Sequence, residues 1–171
     1  MVHQPETVAG GTLVLGVGSL LMGDDAVGVL AVQRLQGHPH LPPGVTVLDG
    51  GTAGLGLIPV LDGYRRAVVV DAVPMGLPPG TIRRFIWREA RPIPHGGAVS
   101  LHQTDLTDAL MLAETLGMLP PEVVIFGVQP GHLEWDRPLS PAVERALPEL
   151  VNALLGELRS EQENGAENPC D

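Results

Sequence analysis

The chain has 171 residues, of which 44% are apolar and only 3% are aromatic, and its net charge is −10. This length and composition predict one globular domain with an aliphatic core, as in a buried parallel sheet. The negative charge argues against nucleic acid or an anionic membrane as a partner, because both attract cationic surfaces. The single cysteine, Cys170, excludes an intrachain disulfide and a cysteine zinc site.

The N-terminal stretch "MVHQPETVAGG" has neither the positive charge nor the apolar core of a signal peptide. No apolar run approaches the roughly 18 residues that a membrane-spanning helix needs. We therefore expect a cytoplasmic protein with a flexible N-terminus over 1–11, a single domain over 12–158 and a disordered polar tail over 159–171.

Continuous apolar runs alternate along the domain with segments whose apolar residues recur at helical spacing. In chain order, the predicted strands are 12–17, 45–51, 66–73, 81–87 and 122–130. The predicted helices are 26–35, 53–61, 104–114 and 140–158. Alternating strands and helices with short connections predict an α/β fold, a three-layer αβα sandwich around a mostly parallel sheet of about five strands.

The fourth strand is the exception to the parallel arrangement. Only "PMGLPPG" separates it from the third strand, whereas a parallel crossover needs a dozen or more residues. We therefore predict that it runs antiparallel. Arg83, Arg84 and the following Arg88 suit an edge position, because charged side chains there discourage pairing with other chains.

The final helix has a clear start signal. Ser140 is predicted as its N-cap, and Pro141 occupies its first position, where the missing N–H of proline costs nothing. The helix before it is expected to be capped by Thr104 or Asp105.

The glycine-rich loop after the first strand resembles a dinucleotide-binding loop only in part. In "GVGSLLMGDDAVGV", Gly16 and Gly18 fit the pattern G-x-G-x-x-G, but Leu21 replaces the third glycine. Asp24 and Asp25 then place negative charge at the start of the helix, where a phosphate requires positive potential. A nucleotide site is therefore disfavoured.

Two features of this region keep the interpretation open. Asp49, at the end of the second strand, resembles the acid that binds a ribose in dinucleotide-binding folds. One aspartate is enough to cap a helix, and two in a row are common by chance, so Asp24 and Asp25 alone are a weak signal of any ligand site.

Three side chains of ligand type are expected at one edge of the sheet. Asp25 follows the first strand, Asp71 ends the third, and His102 precedes the helix that begins near 104. Because ligands of open α/β sheets bind at the carboxyl ends of the parallel strands, these residues can converge on one crevice. Two carboxylates and an imidazole suit a divalent transition metal. The alternatives are that Asp71 caps the end of its strand by hydrogen bonds to loop amides and that His102 is an ordinary polar residue of a loop.

Other candidates for catalysis are weaker. The chain contains no G-x-S-x-G elbow and no H-E-x-x-H zinc motif. His132 and Glu134 follow the last strand and are predicted to lie near the same sheet edge, either lining the crevice or as ordinary loop residues.

The chain resembles the hydrogenase maturation endopeptidases from about Leu13 to Leu158. The resemblance rests on ordered segments with matching spacing: "LVLGVGSLLMGDDAVGV", "DGGTAGLGLIPVL", "AVVVDAV", "SLHQTDLTDAL", and "VVIFGVQP" followed by "LSPAVERALPEL". Members of this family remove a short C-terminal extension from the large subunit of nickel–iron hydrogenases after the metal centre has been inserted. The resemblance therefore implies a peptidase.

The family's nickel-contacting positions are an acid in the first loop, an aspartate after the third strand and a histidine before the helix. They correspond to Asp25, Asp71 and His102, which the resemblance implies are both metal-contacting and catalytic. The family loop usually has asparagine after its second glycine. This chain has Ser19, which can still form a hydrogen bond within the loop.

The resemblance also implies that nickel arrives within the substrate, so the metal is a cofactor supplied by the precursor. On this interpretation the carboxylates of Asp24 and Asp25 lie at the helix start because the ligand is a cation. A bound metal can polarise a peptide carbonyl or lower the pKa of a bound water, and Asp25 could serve as a general base.

The expected partner is the precursor of the hydrogenase large subunit, with no nucleic acid and no membrane, and the enzyme is expected to be a monomer. Two alternatives remain at this stage. One is a nickel carrier or chaperone of hydrogenase maturation that cleaves nothing. The other is a nucleotide-binding module, which a nucleotide-dependent rise in melting temperature without metal would support.

Overall fold

The structure, a computed structural model, describes residues 10–90 and 104–166. Within these ranges the chain forms a five-stranded sheet in the order β2-β1-β3-β5-β4. Its strands are β1 Thr12–Val17, β2 Val45–Gly51, β3 Arg66–Ala72, β4 Ile82–Ile86 and β5 Glu122–Val128. All neighbouring pairs are parallel except β4 with β5, so the prediction of one antiparallel edge strand is confirmed.

The helices surround this sheet on both faces. They are α1 Val27–Leu35, α2 Ile58–Leu61, α3 Trp87–Ala90, α4 Thr104–Thr115 and α5 Pro141–Ala166. Short 3-10 turns, Gly23–Ala26 and Gly54–Leu57, lead into α1 and α2. Among the described residues, no helix is both long and apolar enough to cross a membrane.

Beyond shifts of one residue at the ends of α1 and α4, the helices differ from the prediction in three ways. The helix predicted over 53–61 is divided into a 3-10 turn and one α-helical turn. The single turn α3 was not predicted. Helix α5 continues to Ala166, whereas it was predicted to end at 158 and to be followed by a disordered tail. Leu158 is the last buried apolar residue among the α5 side chains that the structure describes, and residues of good helix propensity after it, such as Glu161, Gln162 and Glu163, extend a helix that packing has already nucleated.

Two apolar cores, one on each face of the sheet, confirm the three-layer sandwich. Strand residues alternate between the cores, as side chains on successive positions point to opposite faces. Val14, Val68, Val70 and Val124 pack with α1 and α5. Leu13, Leu15, Val69 and Ile125 pack with α2 and α4.

The connections put the expected ligand-binding crevice at the carboxyl ends of β1 and β3. Helix α1 leads from β1 to β2 on one face, and α2 leads from β2 to β3 on the other. The strand order therefore reverses between the adjacent parallel strands β1 and β3. Open α/β sheets bind ligands at such a reversal, because the connecting segments diverge there.

Candidate active site

Asp25 lies in the 3-10 turn that follows the loop after β1. Its Oδ2 accepts a hydrogen bond of 2.7 Å from the backbone N–H of Ser19. The hydroxyl of Ser19 accepts a hydrogen bond from the N–H of Leu21 at 3.2 Å, so serine does form the loop hydrogen bond expected of it. The loop thus fixes the Asp25 carboxylate at the carboxyl end of β1.

Gly18 is required for this loop conformation, whereas Gly16 has a different role. Gly18 has a φ of +131°, and a Cβ there would lie 1.8 Å from the carbonyl oxygen of Asp25. Gly16 belongs to β1 and not to the loop. A Cβ at Gly16 would lie 2.3 Å from the carbonyl oxygen of Gly28, so it permits close packing of α1 on the sheet.

Asp71 is buried near the end of β3, on the face that Ala67 and Val69 share with α4. Only 2% of it is exposed. Its Oδ1 has no hydrogen-bond partner among the described residues. A buried carboxylate oxygen without a donor is costly, and it is typical of a site that receives a ligand.

The electrostatics of Asp71 depend on its neighbour. Burial, and next the negative charge of Asp25, raise the pKa of Asp71 well above its ordinary value, and a hydrogen bond from the N–H of Ala72 opposes this only in part. The two carboxylates are therefore close enough to repel each other. A cation between them would relieve that repulsion.

The third predicted site residue, His102, lies outside the described residues, two positions before the first residue of α4. Of the three predicted site residues, the structure describes Asp25 and Asp71, which it brings together. Within residues 10–90 and 104–166, no group of three or more His, Cys, Asp or Glu side chains could hold a metal ion.

Asp24 does not share the role predicted for the pair, because its carboxylate is committed to other protein groups. It is fully buried. It accepts hydrogen bonds from the N–H groups of Gly131 at 2.6 Å, His132 at 3.2 Å and Ser140 at 2.6 Å, and from the Ser140 hydroxyl at 2.7 Å. Burial raises the pKa of Asp24, but these bonds, first those from Ser140, lower it more, so it lies below its ordinary value.

Ser140 occupies the N-cap position and Pro141 begins α5, as predicted, but the hydroxyl of Ser140 has another partner. Its carbonyl oxygen accepts from the N–H of Glu144, as expected at the start of α5, but its hydroxyl donates to Asp24. No pattern in the sequence signals this bond, because its partners are 116 residues apart.

The remaining polar candidates are Glu134, Asp49 and His132, and they differ in their partners. Glu134 forms an exposed ion pair with Arg137 at 3.1 Å. Asp49 accepts a hydrogen bond from the N–H of Gly51 at 2.9 Å. The Nδ1 atom of His132 is buried and has no partner within the described part of the chain.

Comparison with known proteins agrees with this architecture. Residues 29–157 match the hydrogenase maturation protease family. The chain is 35% identical over 156 residues to the hydrogenase 2 maturation protease of Escherichia coli K12, covering 91% of this chain and 93% of that protein. It is 36% identical over 149 residues to the hydrogenase expression/formation protein HupD of Rhizobium leguminosarum bv. viciae, covering 86% and 74%.

A comparison of structures also indicates a hydrogenase maturation protease. The structure of the hydrogenase maturating endopeptidase HybD from E. coli superposes with a TM-score of 0.76 at 33% identity, covering 88% of this chain and 93% of that one. The aspartate pair at the strand reversal is thus set in a fold that the chain shares with a maturation endopeptidase. The chain belongs to the hydrogenase maturation protease family, and it is a peptidase.

Proposed function

We propose that this protein removes the C-terminal extension from the precursor of a nickel–iron hydrogenase large subunit after nickel has been inserted. The observation that carries the proposal is the pair Asp25 and Asp71 at the strand reversal of a maturation-protease fold. The buried, unpartnered Oδ1 of Asp71 fits a cationic ligand, because a cation would stabilise the charged form of Asp71, which burial and the charge of Asp25 disfavour.

In this proposal nickel belongs to the substrate, and Asp25, Asp71 and His102 contact it when the precursor docks. Carboxylate and imidazole ligands suit this metal. When bound, nickel would supply Lewis acidity toward the scissile carbonyl or a bound water. The site of the enzyme then recognises only a precursor that has already been loaded.

The residues of the chain have distinct tasks in this scheme. Ser19 holds Asp25 by donating from its N–H to Oδ2, and the Asp25 carboxylate, held in this way, is the group proposed to accept a proton from water. Burial of Asp71 excludes water from its side of the crevice and strengthens its interaction with any cation. The enzyme is further proposed to act as a monomer in the cytoplasm.

The test is cleavage of nickel-loaded precursor by the variants Asp25→Asn, Asp71→Asn and His102→Ala, each compared with Asp108→Asn. Asp108 is an exposed acid on α4, so its variant controls for loss of one charge close to the site in sequence. Each site variant is expected to lose cleavage while its circular dichroism spectrum stays that of the wild type. Normal cleavage by both Asp71→Asn and His102→Ala would contradict the assignment of these residues.

A further inference from the structure

We propose that Asp24 is a positioning residue, which holds the segment 131–140 against the start of α1 and thereby fixes the orientation of Asp25. The expected effect on cleavage rests on the proposed function. The positioning of the segment 131–140 rests on hydrogen bonds of that segment to Asp24 and to the loop before it.

The first support is the number and direction of those contacts. Both oxygens of the Asp24 carboxylate accept hydrogen bonds, and every donor belongs to Gly131, His132 or Ser140. A carboxylate that receives several hydrogen bonds in a buried position is a strong, directional tie, because charge-assisted bonds exceed neutral ones in strength. Both ends of the segment 131–140 are therefore tied to one side chain.

The second support is that backbone hydrogen bonds also join the segment 131–140 to the region before α1. The N–H of Asp24 donates to the carbonyl oxygen of His132 at 3.1 Å, and the N–H of Asp136 donates to the carbonyl oxygen of Leu21 at 2.9 Å. Asp136 has a φ of +55° and is the one non-glycine residue with positive φ in the part of the chain that the structure describes. Such a conformation persists where its surroundings impose it.

The position of Asp24 determines that of Asp25 because the two residues are adjacent in the chain. Asp24 and Asp25 are consecutive residues of one 3-10 turn, and the N–H of Asp25 donates to the carbonyl oxygen of Met22 at 3.1 Å. A turn of four residues cannot move at Asp24 without moving at Asp25. Since the carboxylate of Asp24 is fully buried and is occupied by hydrogen bonds from the segment 131–140, Asp24 acts on the reaction through Asp25 and not by contact with the substrate.

The test compares Asp24→Asn with Glu157→Gln. Asparagine keeps the size of Asp24 but replaces one acceptor oxygen with a donor group, which conflicts with the N–H and hydroxyl donors around it. Glu157 is the matched control, because it too accepts hydrogen bonds from more than one residue, Arg66 and Arg84, and its ties lie at the opposite end of β3. Its variant loses stability without touching the segment 131–140.

Two measurements are made on both variants, at a temperature where each is fully folded. Amide hydrogen exchange of the segment 131–140 is expected to accelerate in Asp24→Asn, with the sheet and the middle of α5 unchanged. For cleavage of nickel-loaded precursor, kcat is expected to fall about tenfold or more while KM stays within about threefold, because misorientation affects the chemical step more than docking. Glu157→Gln is expected to change neither quantity.

Wild-type kcat in a folded Asp24→Asn variant would overturn the proposal. So would a fall in cleavage that merely follows the unfolded fraction, or an equal fall in Glu157→Gln. If Asp24→Asn does not fold, Ser140→Ala decides the matter. It removes only the hydroxyl donor, and faster exchange in the segment 131–140 with a reduced kcat is expected, whereas no change in either would overturn the proposal.

Failure of the proposed function would be recognised separately. If the wild-type protein cleaves no precursor, the proposed function is wrong. Hydrogen exchange then tests the positioning role alone: protection of the segment 131–140 that depends on Asp24 supports it, and protection unaffected by Asp24→Asn overturns it.

Discussion

Asp71 is buried at the carboxyl end of β3 beside Asp25 at the start of α1, and burial together with the charge of Asp25 raises the pKa of Asp71 well above its ordinary value. Two like charges in one crevice are an unfavourable arrangement for the protein by itself. The same arrangement favours a cationic ligand. Stability and function are therefore expected to oppose each other at this position.

Asp71→Asn is predicted to stabilise the protein while abolishing cleavage. An acid whose pKa is raised on folding destabilises the folded state as pH increases above the ordinary value of 3.8, and the amide has no such penalty. At pH 7 the variant should melt higher by at least about 2–4 °C, the shift expected from about 1 kcal/mol in a domain of this size. The gain should vanish below pH 3.8, where Asp71 is protonated in both states. Calorimetry across pH checks this, and a lower melting temperature at pH 7 would contradict it.

Gly18→Ala is predicted to be far more damaging than Gly37→Ala. Both glycines have positive φ, +131° and +71°, but a Cβ at Gly37 meets nothing within 4 Å, whereas at Gly18 it would overlap the carbonyl of Asp25. We expect Gly37→Ala to lower the free energy of unfolding by about 1 kcal/mol. Gly18→Ala should cost about 3 kcal/mol or more, since the 3-10 turn must shift. Urea titration of both variants measures the difference, and equal losses would show that the overlap is relieved cheaply.

Glu157→Gln is predicted to reduce stability at neutral pH but not in acid. Hydrogen bonds from Arg84 are the main cause that holds the pKa of Glu157 below its ordinary value of 4.5, against the opposing effect of burial, and the charges of Arg84 and Arg66 add to them. Its contribution is therefore complete above pH 4.5 and is lost as pH falls through the lowered pKa.

The expected loss at pH 7 is about 2 kcal/mol, as is typical of hydrogen bonds to charged groups. This corresponds to a decrease of about 4–8 °C in melting temperature. Thermal denaturation at pH 7 and pH 3 compares the two proteins. A loss that stays equal at both pH values would show that the carboxylate charge is not its cause.

Much of the fold follows from local patterns in the sequence. The run at 66–72 has the length and the valine content of a buried strand. The seven residues of "PMGLPPG" are too short for a parallel crossover, which predicts the antiparallel direction of β4. The positions of Asp25 and Asp71 follow from the same logic, since each stands at the carboxyl end of a parallel strand. Their proximity then needs only the strand reversal between β1 and β3.

The tertiary partners of polar groups could not be predicted in this way. Asp24 and Ser140 each have a satisfactory local role, in capping a helix, and nothing in the sequence shows that they bond to each other instead. The same is true of the ion pairs of Glu157 with Arg66 and Arg84, which join α5 to the sheet. The end of α5 at Ala166 was also missed, because the apolar periodicity used to predict it stops at Leu158.

The decisive measurement is intact mass spectrometry of a hydrogenase large-subunit precursor incubated with this protein, with nickel-loaded and nickel-free precursor side by side. Loss of a C-terminal peptide from the loaded precursor alone is predicted, because only the loaded form offers a cation to Asp25 and Asp71. Cleavage of neither form would contradict the proposed processing of the precursor and, if nickel binding were retained, would favour a nickel carrier. Equal cleavage of both forms would show that these carboxylates do not recognise nickel.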